Sequence, residues 1–227
     1  MILCHKHRFI FIKTRKTAGT SIEIFLSRHC GPEDVVTPIQ PPVPGHQPRN
    51  HQGFWNPLPE LRNQPGRWRA TLRELRRRRK FYNHIPARVL RQRVPPEVWR
   101  DYFVFCVERN PWDKTLSHFA MIQERSGGHL TLDDYLAQGF FPQDFDKYTD
   151  ERGNLLVDRV IRYESLAQEL REVFEMLGVP FDGHLGVRAK SDYRRDRRPY
   201  QEVYTPEQRE IIAAAFAREI ELFGYRF

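Results

Sequence analysis

The stretch Phe9-Ile10-Phe11-Ile12-Lys13-Thr14-Arg15-Lys16-Thr17-Ala18-Gly19-Thr20-Ser21-Ile22-Glu23 runs from an apolar, β-prone segment into a loop of cations, hydroxyls and one glycine. An amphipathic helix follows. A strand–loop–helix turn of this kind aims several backbone N–H groups and the positive end of a helix dipole at one spot. Lys16 adds a point charge, and the hydroxyls of Thr17, Thr20 and Ser21 add donors. Thr20 to Glu23 also fits a capping box, which predicts a helix start there. The turn is expected to hold an anion, a phosphate before others. It differs from the nucleotide-triphosphate loop G-x-x-x-x-G-K-[ST], because here the lysine precedes the only glycine. The competing reading is a polar βα turn whose threonine simply caps the helix.

A second segment has the same grammar. Tyr102-Phe103-Val104-Phe105-Cys106-Val107 is a continuous apolar run, as expected of a strand buried on both faces of a parallel sheet. Glu108-Arg109-Asn110-Pro111-Trp112-Asp113-Lys114-Thr115-Leu116-Ser117 follows it. Asn110 reads as an N-cap, Pro111 as the first helical residue, and Asp113 as a first-turn carboxylate facing the dipole. Arg109 leaves the strand end and Ser117 lies nearly two turns into the helix. A guanidinium fork with a hydroxyl can hold a second phosphate. The alternative is an ordinary βα connection with a surface arginine.

Together the two turns resemble the sulfotransferases that use 3′-phosphoadenosine 5′-phosphosulfate (PAPS) as donor. Lys16 to Ser21 match that family's loop for the 5′-phosphosulfate, and Arg109 with Ser117 match its 3′-phosphate motif. The likeness is closest to the branch of heparan 2-O and chondroitin type carbohydrate enzymes and short bacterial members. It extends through Asp158 to Leu166 and from Tyr204 to Tyr225, and is poorest near residues 32–80. What it implies is an α/β fold with a central, mostly parallel sheet flanked by helices, P-loop-like in its nucleotide site. It implies PAPS as donor and 3′-phosphoadenosine 5′-phosphate (PAP) as product, with Arg15, Thr17, Ala18, Gly19, Thr20, Ser21, Arg109 and Ser117 on the nucleotide. Tyr193 and Arg194 fall where relatives close a loop over it, though a charged surface turn is the other reading there. No metal is expected, since a sulfuryl group carries less charge than a phosphoryl group and no ligand cluster stands out in the sequence.

Sulfuryl transfer needs a base, and His84, in Phe81-Tyr82-Asn83-His84-Ile85-Pro86, is the candidate. Pro86 can open a short helix whose dipole would keep the imidazole neutral; the branch also has a histidine there. A structural histidine is the bland alternative, and His118 is the competitor. Lys16 would neutralise the charge growing on the leaving oxygen, with Lys13 and Arg15 weaker candidates for that role.

The 227 residues carry 37 Lys and Arg against 29 Asp and Glu, a formal net charge of +8, so an anionic partner is expected. With 40% hydrophobic residues, one compact domain over 1–227 needs no disulfide or metal to fold. Within it, a Pro-rich insertion is expected at about 32–66 and a basic segment at 67–80, with Leu72 and Leu75 of a helix there touching the body. That segment is either a solvated helix face or a polyanion site. The other predicted helices are a capped one over 130–136, one from Leu166 that Gly178 and Pro180 end, and one starting at Thr205-Pro206-Glu207 and stopping at Gly224. No apolar run has the length of a membrane span, no secretory leader is evident, and Cys4, Cys30 and Cys106 form no metal or redox spacing, so a cytoplasmic protein with reduced thiols is expected. The acceptor would be a hydroxyl compound, a glycan or a small natural product, and nucleic acid is not the expected partner. Two further classes stay open: a nucleotide-dependent kinase, and a basic polyanion-binding or nucleic-acid-binding protein without catalysis.

Overall fold

The structure, a computed structural model, describes residues 1–186, 194, 196 and 198–227. Its elements run β1 (Ile2–Cys4), β2 (Phe9–Ile12), α1 (Gly19–Ser27), β3 (Val35–Val36), α2 (Leu58–Asn63), α3 (Trp68–Arg76), α4 (Ala87–Leu90) and α5 (Pro96–Asp101). Then come β4 (Phe103–Glu108), α6 (Pro111–Arg125), α7 (Leu132–Ala137), α8 (Phe145–Tyr148), β5 (Arg159–Arg162), α9 (Leu166–Met176), α10 (Pro206–Ala215) and α11 (Ala217–Phe223).

The sheet has the order β3-β1-β2-β4-β5. It is mixed. β2, β4 and β5 are parallel neighbours, whereas β1 pairs antiparallel with both β2 and β3. The register sets Phe9 opposite Phe103 and Ile12 opposite Cys106, so β2 and β4 end side by side and deliver their loops to one edge. This is where an open α/β sheet places its ligand sites, beyond the carboxyl ends of parallel strands.

The continuous apolar runs are explained by burial on both faces. Ile10, Ile12, Val104 and Cys106 face a layer built from Phe81, Ile85, Val89, Leu90, Phe145 and Tyr148. Phe9, Phe11, Phe105 and Val107 face α1 and α9 through Ile22, Phe25, Leu170, Val173 and Phe174. A third cluster joins α6, α7 and the C-terminal helices through Trp112, Leu116, Tyr135, Ile212 and Phe216.

Several expected boundaries are reproduced. Asn110 caps α6 by accepting from the amides of Trp112 and Asp113, and Pro111 is its first residue. Thr131 and Thr205 each form a complete capping box, and Gly178 and Gly224 follow α9 and α11 at positive φ. Other details differ. The capping box at Thr20 does not form: α1 begins at Gly19 after left-handed Ala18 (φ 58°), with no side-chain cap. Glu23 is instead buried beneath the loop, where it takes the ammonium of Lys13 at 2.5 Å and the amine of Met1. The C-terminal helix breaks at Phe216, which lets Ile212 and Phe216 enter the third cluster while Phe223 packs on Tyr148 of the first (centroids 6.1 Å apart). In α3 the buried residues are Thr71 and Glu74, and Leu72 faces solvent. Between residues 32 and 66 the chain is irregular apart from β3, α2 and the first residues of a short 3-10 turn.

Candidate active site

The first turn is held rigid from below. The Thr14 hydroxyl donates to the carbonyl of Val107 at the end of β4 and contacts the Thr17 hydroxyl at 2.8 Å. Thr17 is fully buried, and its hydroxyl also reaches the Thr14 carbonyl, so this side chain locks the turn. Lys16 and Ala18 both lie at positive φ (61° and 58°). Such non-glycine residues are uncommon and mark a turn whose shape is imposed by its surroundings. Gly19 is required for a different reason: a Cβ there would meet Lys13 Cγ at 2.7 Å. In the first turn of α1 the amides of Gly19 and Thr20 have no acceptor within the helix, as at any helix start. Ser21 is buried, while Lys16 and Thr20 are half-buried.

Of the flanking cations, Lys13 is spent on Glu23, which burial would push up but which Lys13 and the Met1 amine hold down at about 2. Arg15 leans away from the loop, its Nε 3.0 Å from Asp144 Oδ1 and its amide 2.6 Å from Oδ2. Asp144 is a hub that sequence reading missed. It is fully buried, and besides Arg15 it takes Lys114 Nζ at 3.1 Å, while Lys114 also reaches Glu108 at 2.6 Å. Tyr148 donates to the other oxygen of Glu108. One buried ionic chain therefore runs from the first loop, through Asp144 and Lys114, to the end of β4. The only trace in the sequence is a lone aspartate before an aromatic residue, too common to single out.

The second turn meets the first directly. Arg109 donates from Nη1 to the Lys16 carbonyl at 3.0 Å, lies over the Tyr163 ring at 4.1 Å, and grips Asp113 through Nε at 2.8 Å and Nη2 at 2.6 Å. The other oxygen of Asp113 takes Arg194 Nη1 at 2.8 Å. Arg109, expected on the 3′-phosphate, and Arg194, expected where a loop closes over the nucleotide, thus converge on one carboxylate. Ser117, half-buried, stands one helical turn beyond Asp113 on the same face of α6. Tyr193 lies outside the described residues. The i,i+4 spacing of Arg109 and Asp113 is the one visible sequence signal for this pair.

His84 (φ 59°) meets the start of the loop, its Nδ1 3.0 Å from the Lys13 carbonyl. A carbonyl only accepts, so Nδ1 carries the proton and Nε2 keeps the lone pair of the neutral ring. Burial, reinforced by the charge of Lys13, pulls its pKa down to about 4. The expected cause was the dipole of a helix opened by Pro86; that helix, α4, is only four residues long, and desolvation dominates instead. His118 is likewise pulled to about 4, by burial and by the nearby Lys16 and Arg15. Its Nδ1 meets the Tyr135 hydroxyl at 2.7 Å, a partner that can donate or accept, so its tautomer is not fixed. Both histidines lie near the loop, His84 against the Lys13 carbonyl and His118 close to the charges of Lys16 and Arg15.

Among the described residues, Cys4, Cys30 and Asp34 bring ligand-type atoms within 4.8 Å of one another, a proximity hidden by their separation in sequence. Asp34 is already used: it accepts from the amides of His5 at 2.6 Å and Gly31 at 2.7 Å and from the Cys4 thiol. The group staples β1 to the segment after α1, away from both turns.

No family model matches the chain. An uncharacterized protein of Archaeoglobus fulgidus is 29% identical over 118 residues, a match covering 49% of this chain and 98% of that protein. Among solved structures, the mouse sulfotransferase SULT7A1 complexed with PAP is similar at a TM-score of 0.48 and 14% identity, over 96% of this chain and 85% of that one. A sulfotransferase from Alicyclobacillus acidocaldarius is similar at a TM-score of 0.46 and 18% identity, over 96% of each chain.

Proposed function

We propose that the chain is a PAPS-dependent sulfotransferase acting on an acceptor hydroxyl, with a carbohydrate as the acceptor class. The observation that carries this reading is the union of the two anion-binding turns: Arg109 of the second is bonded to the Lys16 carbonyl of the first. A ligand with phosphates at two separated positions fits such a pair, and a PAP-like nucleotide is one.

In this reading the amides of the first turn of α1, with Thr20 and Ser21, hold the 5′-phosphate. Arg109, Arg194 and Ser117 hold the 3′-phosphate. Lys16 neutralises charge developing on the oxygen between sulfur and phosphorus, an electrostatic task suited to a preformed site. His84 Nε2 takes the proton of the acceptor hydroxyl, and the Lys13 carbonyl fixes the tautomer that makes it a base. Thr17 and Arg15 act from behind, the first by shaping the turn and the second by anchoring it to Asp144.

Titration calorimetry with PAP tests the donor site, using adenosine 5′-phosphate and ATP as controls. The expected result is binding that requires the 3′-phosphate and weakens roughly tenfold or more in Arg109→Ala and Lys16→Ala. No binding, or a preference for ATP with Mg²⁺, overturns the reading in favour of a kinase or a non-catalytic polyanion binder.

A further inference from the structure

The segment 51–80 sorts its charges by sign. Its two acidic residues, Glu60 and Glu74, are both buried. Both are held by Arg93, a fully buried side chain whose Nε and Nη2 lie 2.8 and 2.9 Å from Glu60 and whose Nη2 lies 2.6 Å from Glu74. Thr71 of α3 adds a bond to Glu60 at 2.7 Å. The arginines go the other way. Arg62, Arg69, Arg73, Arg76, Arg77, Arg78 and Arg79 are all exposed. The surface of this segment is therefore cationic with no acidic side chain of its own to offset it.

The same segment also exposes large apolar groups. Phe54 is 63% exposed, Leu58 68%, Trp68 50% and Leu72 46%, four of the nine large hydrophobic residues most exposed among the described residues. Trp68 and Leu72 lie one turn apart on α3, beside the packed face that carries Thr71 and Glu74. Arginines lie against the aromatic rings, Arg69 over Trp68 at 5.1 Å and Arg78 over Phe54 at 4.8 Å. Scattered single exposures need no explanation, but clustering within one cationic segment does.

We propose that α3 and the adjoining 54–58 segment form a docking face for an anionic phospholipid bilayer. A soluble polyanion would satisfy the arginines and leave the indole and leucine side chains in water. The headgroup boundary of a bilayer accommodates both: apolar side chains enter the acyl region while guanidinium groups stay with the phosphates. Basic residues near an anionic leaflet are attracted to it additively, so seven arginines supply ample attraction even when screened. The chain from Lys80 to His84 leaves this face directly, which sets the candidate base close to it in sequence.

Cosedimentation of the full chain with vesicles provides the test, comparing pure phosphatidylcholine with phosphatidylcholine containing about 30% phosphatidylserine. The expected result is binding to the anionic vesicles only, with a blue shift of tryptophan emission that Trp68→Phe removes. The double variant Trp68→Ser with Leu72→Ser should bind roughly tenfold or more weakly at unchanged net charge, and Arg73→Gln with Arg76→Gln should also weaken binding. All four side chains are exposed, so the variants should keep the wild-type melting temperature. Failure to bind anionic vesicles overturns the proposal. So does binding that the Trp68 and Leu72 substitutions leave unchanged, or retention on heparin without retention on vesicles, either of which assigns the face to charge alone.

Discussion

The Arg109 guanidinium donates to the main-chain carbonyl of Lys16 at 3.0 Å, across a sequence separation of 93 residues. A lysine ammonium at this position would supply charge without the fork that also reaches Asp113 through two nitrogens. Arg109→Lys is therefore expected to keep the fold but to lose roughly tenfold or more in affinity for PAP. Calorimetry alongside a melting curve separates the two effects. An unchanged affinity would show that the bridge has no part in ligand binding.

His84 makes a prediction about pH. Its folded pKa, about 4, lies below the ordinary histidine value. If it is the base, kcat/KM, which reports the free enzyme, should stay flat on the acid side from pH 7 down to about 5 and fall only near 4. His84→Ala should lower kcat by roughly 10²–10⁴-fold, whereas His118→Ala should mainly disturb packing against Tyr135. A collapse of activity in the His118 variant alone would make His118 the base.

The depressed histidines also shape acid stability. Unfolded chains bind a proton near pH 6.5, and folded His84 and His118 resist it until about 4. The unfolded state thus holds more protons between these values, so stability is complete above pH 6.5 and declines as the pH falls toward 4. Glu23, held at about 2, extends the decline below pH 4.5. Denaturant melts at a series of pH values should show this two-part loss, and His84→Gln should flatten its upper part.

Asp144→Asn should be among the costly substitutions. It leaves the buried Lys114 with one carboxylate and removes the charge that anchors Arg15. Breaking a buried pair typically costs about 3–5 kcal/mol, and urea denaturation should register a loss of that order. The first loop should also lose order, seen as faster amide exchange at Arg15, whose N–H is bonded to Asp144.

Glu219 has the opposite sign. It is 2% exposed, its Oε1 has no hydrogen-bond partner, and burial with nearby Glu108 raises its pKa to about 7. Its contribution is complete below pH 4.5 and is lost as the pH rises through 7. Glu219→Gln should therefore stabilise the protein by roughly 1–3 kcal/mol at pH 8 and do little at pH 4. Equal melting temperatures at both pH values would count against a buried ionised carboxylate.

Much of this architecture was legible because local and global signals agree. The runs at Phe9 and Phe103 are apolar at every position, and both faces of those strands are in fact buried. Asn110-Pro111, Thr131 and Thr205 cap where their chemistry says they should. The failures share a cause, which is that long-range burial overrides a local pattern. Glu23 matches a capping box but serves as counterion to Lys13. Leu72 looks like a packing residue, yet α3 seats Glu74 on Arg93 and Thr71 on Glu60. Asp144, the centre of the ionic chain, has little local signature, because apart from Lys147 its partners come from residues 15 and 114. The β1 and β3 edge was too short to read.

Asp113 gives the site a built-in counterion. With Arg109 on one oxygen and Arg194 on the other, the cationic cleft is neutralised in part by a side chain of its own. In the proposed reading such a site is prearranged before any ligand arrives, since both guanidinium groups are already held by one carboxylate. In that reading it is also a filter. A singly charged anion has to share donors with a carboxylate of equal charge and gains little by the exchange, while a phosphate dianion brings the surplus that tips it. Discrimination against the small anions of the cell would then arise from an acidic residue within a basic site.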